Sequence, residues 1–234
     1  MTTSVTSSYT NEQIVSWLRG LMTIAWADGH FDPEERELIS QITHDELSLD
    51  KQIDNLEKIS PEELATAFGS DSQMAENFLR TAVMVAIADG VYSPPEAELL
   101  QKFSKALGLD IEALKSLEAT LYHEEETDSN SAGAAASPLK RPEGADGGSP
   151  KILQPVQEWL DGMNIDDPRV AKFICKIVPS QCPFERDINL FGRKIAHIPP
   201  MCKLNPLYEQ LVGLRFRSLS YLADDCGEDV TPYI

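Results

Sequence analysis

The first 174 residues of this 234-residue chain contain no cysteine, and no Cys-x-x-Cys pair occurs anywhere in it. The missing pair removes the usual spacing of ribbon and knuckle zinc sites. Basic residues are scarce as well: 20 Lys and Arg stand against 38 Asp and Glu, a net charge of −18. Nucleic acid and anionic lipid would be repelled by such a surface, so neither is expected as a partner. Solubility, cation attraction or a basic protein partner fits the charge. No run of about 18 apolar residues exists, so no segment is expected to span a membrane. The start, MTTSVTSSYT, lacks the basic cluster and apolar core of a signal peptide, which makes the cytoplasm the expected location. Catalytic signatures are missing too. There is no phosphate-binding glycine loop, nucleophile elbow, zinc-hydrolase His pair or dinucleotide fingerprint. The four histidines (His30, His44, His123 and His197) are scattered without ligand spacing. These absences point to a non-enzymatic protein.

What the chain does contain is one passage written twice. Residues 24 to 39 read IAWADGHFDPEERELI and residues 85 to 100 read VAIADGVYSPPEAELL, at an offset of 61. Ala25, Ala27, Asp28, Gly29, Pro33, Glu35, Glu37 and Leu38 recur as Ala86, Ala88, Asp89, Gly90, Pro94, Glu96, Glu98 and Leu99. An internal repeat fixes architecture, and this one encodes a helix, a sharp loop and a second helix, twice. The first helix of each copy ends at Asp-Gly, where glycine takes the left-handed conformation at low steric cost. The second opens with a capping side chain (Asp32 or Ser93), a proline, and a glutamate placed to close a capping box. Helix punctuation explains most of the repeat. The same residues, Asp28, Asp32 and Glu35 with Asp89, Ser93 and Glu96, could instead gather oxygen ligands for a hard cation. The alternating carboxylates of an EF-hand loop are not there.

The doubled motif Ala-x-Ala-Asp-Gly-x-aromatic-(Asp/Ser)-Pro-x-Glu resembles the tellurite-resistance TerB family over about residues 10 to 123. That resemblance implies an all-helical fold of two such halves, with divalent metal held at acidic positions. The matching positions are Asp28, Asp32 and Glu35 in the first copy and Asp89 and Glu96 in the second. Ser93 stands where a carboxylate would serve better, which weakens the second site. A related domain precedes J domains in some DnaJ-like proteins, but this chain has no His-Pro-Asp tripeptide.

Charge and composition divide the chain in three. Residues 1 to 123 carry 21 acids and 8 bases, residues 124 to 150 carry 6 and 2, and residues 151 to 234 carry 11 and 10. The middle stretch, EEETDSNSAGAAASPLKRPEGADGGSP, has too little apolar surface to offset its ordering entropy and reads as a flexible linker. Two separately folded pieces are expected on either side of it. Periodicity places helices near 11–28, 33–44, 50–59, 61–68, 73–88, 94–107 and 110–122. Ile14, Leu18, Leu21 and Ala25 make one apolar face, and Phe78, Ala82, Val85 and Ala88 another. Trp17, Trp26, Phe78 and Phe103 are expected in the core.

The last segment holds every cysteine: Cys175, Cys182, Cys202 and Cys226. Asp167-Pro168 opens a helix whose apolar face is Val170, Ile174, Ile177 and Val178, with Cys175 at its edge. Ile188 to Phe191, Gly192 and Lys194 to Ile198 read as a hairpin that would bring Cys182 and Cys202 towards each other. Asn205-Pro206 opens a long helix ending at Cys226-Gly227. Clustered thiols in a chain without a secretion signal lean towards metal or redox chemistry. The four could converge on zinc or an iron–sulfur cluster, with His197 able to replace one thiolate, or could pack as small apolar residues. Residues 169 to 217 also hold nine Lys or Arg against three acids, a solvated face or one for an acidic partner.

The passages CPFERDI, HIPPMCKLNPLYEQLVGLRFR and CGEDVT closely resemble the small, mainly cyanobacterial family called the Mo-dependent nitrogenase C-terminal domain. The resemblance covers about residues 152 to 234 and implies no assigned activity. Nothing in it is similar to nitrogenase catalytic subunits or to a molybdenum cofactor motif.

The sequence therefore predicts a mainly α fold. A seven-helix bundle built from a duplicated helix–loop–helix half spans 10–123, a flexible linker spans 124–150, and a small helical domain with one β-hairpin spans 151–234. The expected function is non-enzymatic binding of metal or a protein partner, in a stress or metal response. A redox or assembly factor using the cysteines is the alternative, and an accessory role in nitrogen fixation a weaker one.

Overall fold

The computed structural model describes residues 8–27, 58–87, 91–122, 137–138, 153–178, 186–190, 193–198 and 207–234. The fold is mainly helical. Four of the five described N-terminal helices start where the sequence supplies a cap. Helix α1 (Asn11–Ala25) is opened by Thr10, whose hydroxyl accepts from Gln13 N while Gln13 Oε1 accepts from Thr10 N, a complete capping box. Helix α2 (Pro61–Phe68) has the same device in Ser60 and Glu63, with proline at its start. Helix α3 (Ser72–Ala86) is capped by Asp71, whose Oδ1 accepts from Met74 N at 2.9 Å. Helix α4 (Pro94–Ala106) is capped by Ser93 and followed by α5 (Glu112–Tyr122). Gly69 and Gly108, just past the ends of α2 and α4, have φ of 65° and 70°, which a side chain would strain.

The core of this half is aromatic. Trp17 of α1 lies 5.9 Å from Phe68 and 6.0 Å from Phe78, and Phe78 lies 5.5 Å from Phe103, ring centre to ring centre. The Trp17–Phe78 and Phe78–Phe103 pairs meet edge to face, the arrangement that ring quadrupoles favour. Helices α1 and α3 approach closely because position 20 is glycine. A Cβ there would sit 2.7 Å from Phe78 Cε2. Trp17, Phe78 and Phe103 are buried as expected, whereas Trp26 is only half-buried, with Lys58 Nζ 5.7 Å from its ring centre.

Five of the expected N-terminal helices are present within a few residues of their predicted ends. The helix expected at 33–44 lies outside the described residues, as does most of that at 50–59, although Lys58 and Ile59 are not helical. Strand β1 (Val91–Tyr92) pairs antiparallel with β2 (Ser137–Pro138). Those two linker residues therefore have a defined partner, a correction to the reading of 124–150 as wholly flexible. The rest of that stretch lies outside the described residues.

The C-terminal segment forms α6 (Gln154–Asp161), α7 (Pro168–Ile177), a hairpin of β3 (Arg186–Leu190) and β4 (Arg193–Ile198), and α8 (Tyr208–Ser220). Asp167 caps α7 as the sequence predicts, and β3 and β4 pair antiparallel, with Leu190 opposite Arg193, where the sequence predicts a hairpin. Helix α6 is not foreseen by any strong cap, since Leu153 at its start gives no side-chain hydrogen bond. Helix α8 starts at Tyr208 rather than near Pro206. Among the described residues no helix is long and apolar enough to cross a membrane.

Separate cores are not what forms. Leu153, Val156, Leu160, Val170, Ile174, Leu207, Leu211 and Leu214 join the same continuous apolar core as Trp17, Phe78 and Leu117. The reason lies in helix length. Helices of 8, 10 and 13 residues with one apolar face each close too little surface alone. Here α6 packs against α5, and α7 and α8 pack on each other.

Candidate functional site

Of the carboxylates proposed to hold a cation, Asp28, Asp32, Glu35 and Asp89 lie outside the described residues. Glu96 is described and buried, 9% exposed. Its Oε2 accepts from Ser93 N at 2.9 Å and from Ser93 Oγ at 2.7 Å, while Ser93 Oγ accepts from Glu96 N at 3.4 Å. At this position the structure shows a capping box. Replacing Ser93 by Ala is expected to cost about 1 kcal/mol, the usual worth of a cap. Denaturant unfolding with and without added calcium checks it. An equal loss in both conditions supports capping, and a loss present only with calcium would make Ser93 part of a cation site.

Cys182 and Cys202 lie outside the described residues; Cys175 and Cys226 do not. Helix α7 carries Cys175, 4% exposed, beside the face that joins the main core. After α8 the chain passes into a π turn (Tyr221–Asp225), in which Cys226 N donates to Tyr221 O at 3.1 Å. Single π turns recur at functional sites. Gly227, with φ of 67°, then reverses the chain as its place in Cys-Gly predicts. The tail is held by Lys172 Nζ on Glu228 Oε2 at 2.8 Å and by Arg215 Nη2 donating to Tyr233 O.

These turns create a second, smaller apolar cluster. Ala171, Cys175 and Leu222 form its centre, with Ile165, Leu219, Tyr221, Cys226, Val230 and Tyr233 packed around them. Two cysteines 51 positions apart in sequence thus border one patch. Burial pushes the Cys175 thiol up to about 11, against a smaller opposing effect of Arg215. The Cys226 thiol is also raised by burial, with the hydrogen bond to Tyr221 working the other way. Both are held as thiols near neutral pH, poor nucleophiles without a metal to draw off the proton. Among the described residues no three His, Cys, Asp or Glu side chains gather as metal ligands would.

Sequence reasoning missed a polar seam between the halves. Asp167 is fully buried. It caps α7 through Arg169 N, and its Oδ2 lies 2.9 Å from Arg169 Nη2 and accepts from Tyr9 N at 3.2 Å. Arg169 Nη1 donates to Asn11 Oδ1 at 2.7 Å, and Arg169 Nη2 also donates to Tyr9 O. Beside it, Arg80 of α3 donates to Trp159 O at 2.8 Å and pairs with Glu76 at 2.6 Å, and Glu76 also accepts from Trp159 Nε1. Burial lowers the Arg80 pKa from its ordinary value, opposed by Glu76 and reinforced by nearby Arg217. Asp167 was legible only as a cap, because sequence spacing does not show what crosses from residue 9.

Residues 152–234 match the family described as Mo-dependent nitrogenase C-terminus, which bears out the resemblance of that segment. No curated protein and no solved structure matches the chain.

Proposed function

We propose that the chain is a non-enzymatic binding protein whose C-terminal segment holds a structural metal through Cys175, Cys182, Cys202 and Cys226. The observation that carries this reading is the meeting of Cys175 and Cys226 at one apolar cluster, from α7 and from the turn after α8. The hairpin adds support. Arg186 pairs with Ile198, and Cys182 and Cys202 stand four positions outside that pair on either side. Zinc and an iron–sulfur cluster both accept four thiolates. A reducing cytoplasm would keep the set intact.

The N-terminal half adds the TerB-like reading, a divalent cation at Asp28, Asp32 and Glu35, which rests on the duplicated motif. The acidic surface suits a basic protein partner.

Protein purified without oxygen should contain about one zinc, or iron with sulfide and a visible absorption band, per chain. Each single Cys→Ser variant should lose metal and melt earlier, because a structural metal is part of folding. Metal-free wild type that folds normally, with four thiols titrating after denaturation, would leave the cysteines as packing residues.

A further inference from the structure

Among the described residues only three large apolar side chains are left exposed: Val212 at 42%, Phe216 at 69% and Ile234 at 81%. Two of them stand one turn apart on α8, and helical residues four apart share a face. Helix α8 buries Leu211, Leu214 and Ser218. Its other side carries Val212, Gly213 and Phe216, all exposed, with exposed Ala223 beyond them in the π turn. Ile234 belongs to the tail that Arg215 of the same helix binds through the Tyr233 carbonyl. Exposed apolar residues scattered singly are ordinary, but here they gather at one helix.

The same face has a notch. A Cβ built on Gly213 would meet nothing within 4 Å, so no neighbour within the fold uses the space that this glycine leaves. Gly20 is the contrast, since its missing side chain makes room for Phe78. Glycine inside a helix lowers helical stability, and at position 213 the described fold gains no packing in return. A notch beside a protruding ring lets a second helix pack closely, ridge into groove.

Charge selects the occupant. Every exposed charged residue from 207 to 234 is acidic: Glu209 at the start of α8, and Asp224, Asp225 and Asp229 past its end. The two cations of the helix, Arg215 and Arg217, are half-buried and donate to the carbonyls of Tyr233 and Asp161, with both Nε atoms buried. A second copy would bring the same carboxylates and a further net charge of −18. A stable dimer also needs about 1,200 Å² of buried surface, far more than two side chains and a glycine supply. One amphipathic helix needs only a few apolar anchors at helical spacing.

We propose that this face of α8 docks an amphipathic helix of a partner protein, one with basic residues flanking its apolar strip. Phe216 and Val212 pack against that strip, the partner's backbone crosses at Gly213, and its Lys or Arg side chains meet Glu209 and Asp224. The site rests on the reading of a basic partner drawn from the net charge, and it is independent of the metal.

The test is titration calorimetry of the full chain with a peptide of about 18 residues, Leu at helical spacing on one face and Lys on its flanks. An isomer of the same composition, its leucines spread around the helix, controls for charge alone. Saturable binding of the first peptide is expected, tighter than that of the isomer. Phe216→Gln should weaken it about tenfold, as loss of a central aromatic anchor does. Gly213→Gln should weaken it by a similar factor and leave the free protein no less stable, because glutamine is the better helix former and its Cβ meets open space. Glu209→Gln should weaken it about threefold, the usual worth of an exposed ion pair. Glu112→Gln removes the same charge from α5 and should change nothing. Binding that neither Phe216→Gln nor Gly213→Gln alters overturns the α8 site and leaves the basic-partner reading standing, as does equal binding of the two peptides. No binding of either peptide overturns both. A wild-type dimer in sedimentation equilibrium that Phe216→Gln dissociates would make a second copy the occupant and overturn the proposal.

Discussion

Replacing Asp167 by Ala is expected to destabilise the whole molecule by about 3 kcal/mol or more and to unfold both halves together. The side chain is fully buried and holds three groups at once: the Arg169 guanidinium, the N-terminus of α7 and the amide of Tyr9. Removing one partner of a buried ion pair leaves the other charge without compensation, which costs about 3 to 5 kcal/mol. Arg169 is 13% exposed and recovers a little hydration, so the lower end of that range applies. Asp167→Asn keeps an oxygen for the cap and should lose less. Denaturant unfolding followed by tryptophan fluorescence and by far-ultraviolet dichroism measures both the size and the cooperativity. Separate transitions for the two halves would mean that their shared core does not couple them.

A second large effect is expected at Phe78. This ring is fully buried and touches Trp17, Phe68 and Phe103. Phe78→Ala removes an aromatic side chain from close-packed surroundings, and such cavities cost about 3 to 5 kcal/mol. Gly20→Ala is expected to cost about 1 to 3 kcal/mol for the opposite reason, overpacking. The added Cβ would meet Phe78 Cε2 at 2.7 Å and Phe78 Cζ at 2.8 Å, well inside normal contact. The two substitutions should therefore be strongly non-additive. In a Phe78→Leu background, where the ring is gone, Gly20→Ala should cost little or nothing. Additive losses in the double variant would show that the strain at Gly20 comes from elsewhere.

These two positions differ in how far the sequence reveals them. Phe78 belongs to a run with helical period, so its burial follows from pattern alone. Gly20 sits inside a predicted helix, where glycine only lowers propensity; that it marks the crossing of α1 over Phe78 is visible only with both helices in place. Asp167 announces itself as a cap before a proline, yet its ion pair and its bond to Tyr9 span 158 positions. Glu96 is the reverse case. Its place at the third position of α4 was legible as either a cap or a ligand, and the 2.9 Å bond from Ser93 N shows it working as a cap. The cysteines divide likewise. Their crowding in one segment is plain from the sequence, but that Cys175 joins a second apolar cluster, against which Cys226 also packs, depends on how α7 lies across α8.

The sequence by itself determined local structure: the caps at Thr10, Ser60, Asp71, Ser93 and Asp167, the glycine at position 227 past the π turn, and the antiparallel pairing of β3 with β4. Each is set by residues within a few positions, where sterics and side-chain hydrogen bonds act without distant help. Only the tertiary structure decided that the strongly acidic N-terminal half and the nearly neutral C-terminal half share one core, and that Arg80 and Asp167 bind across the seam. Those outcomes depend on which apolar faces meet. Apolar attraction is non-directional, so a helical pattern tells a residue to be buried without naming its neighbour.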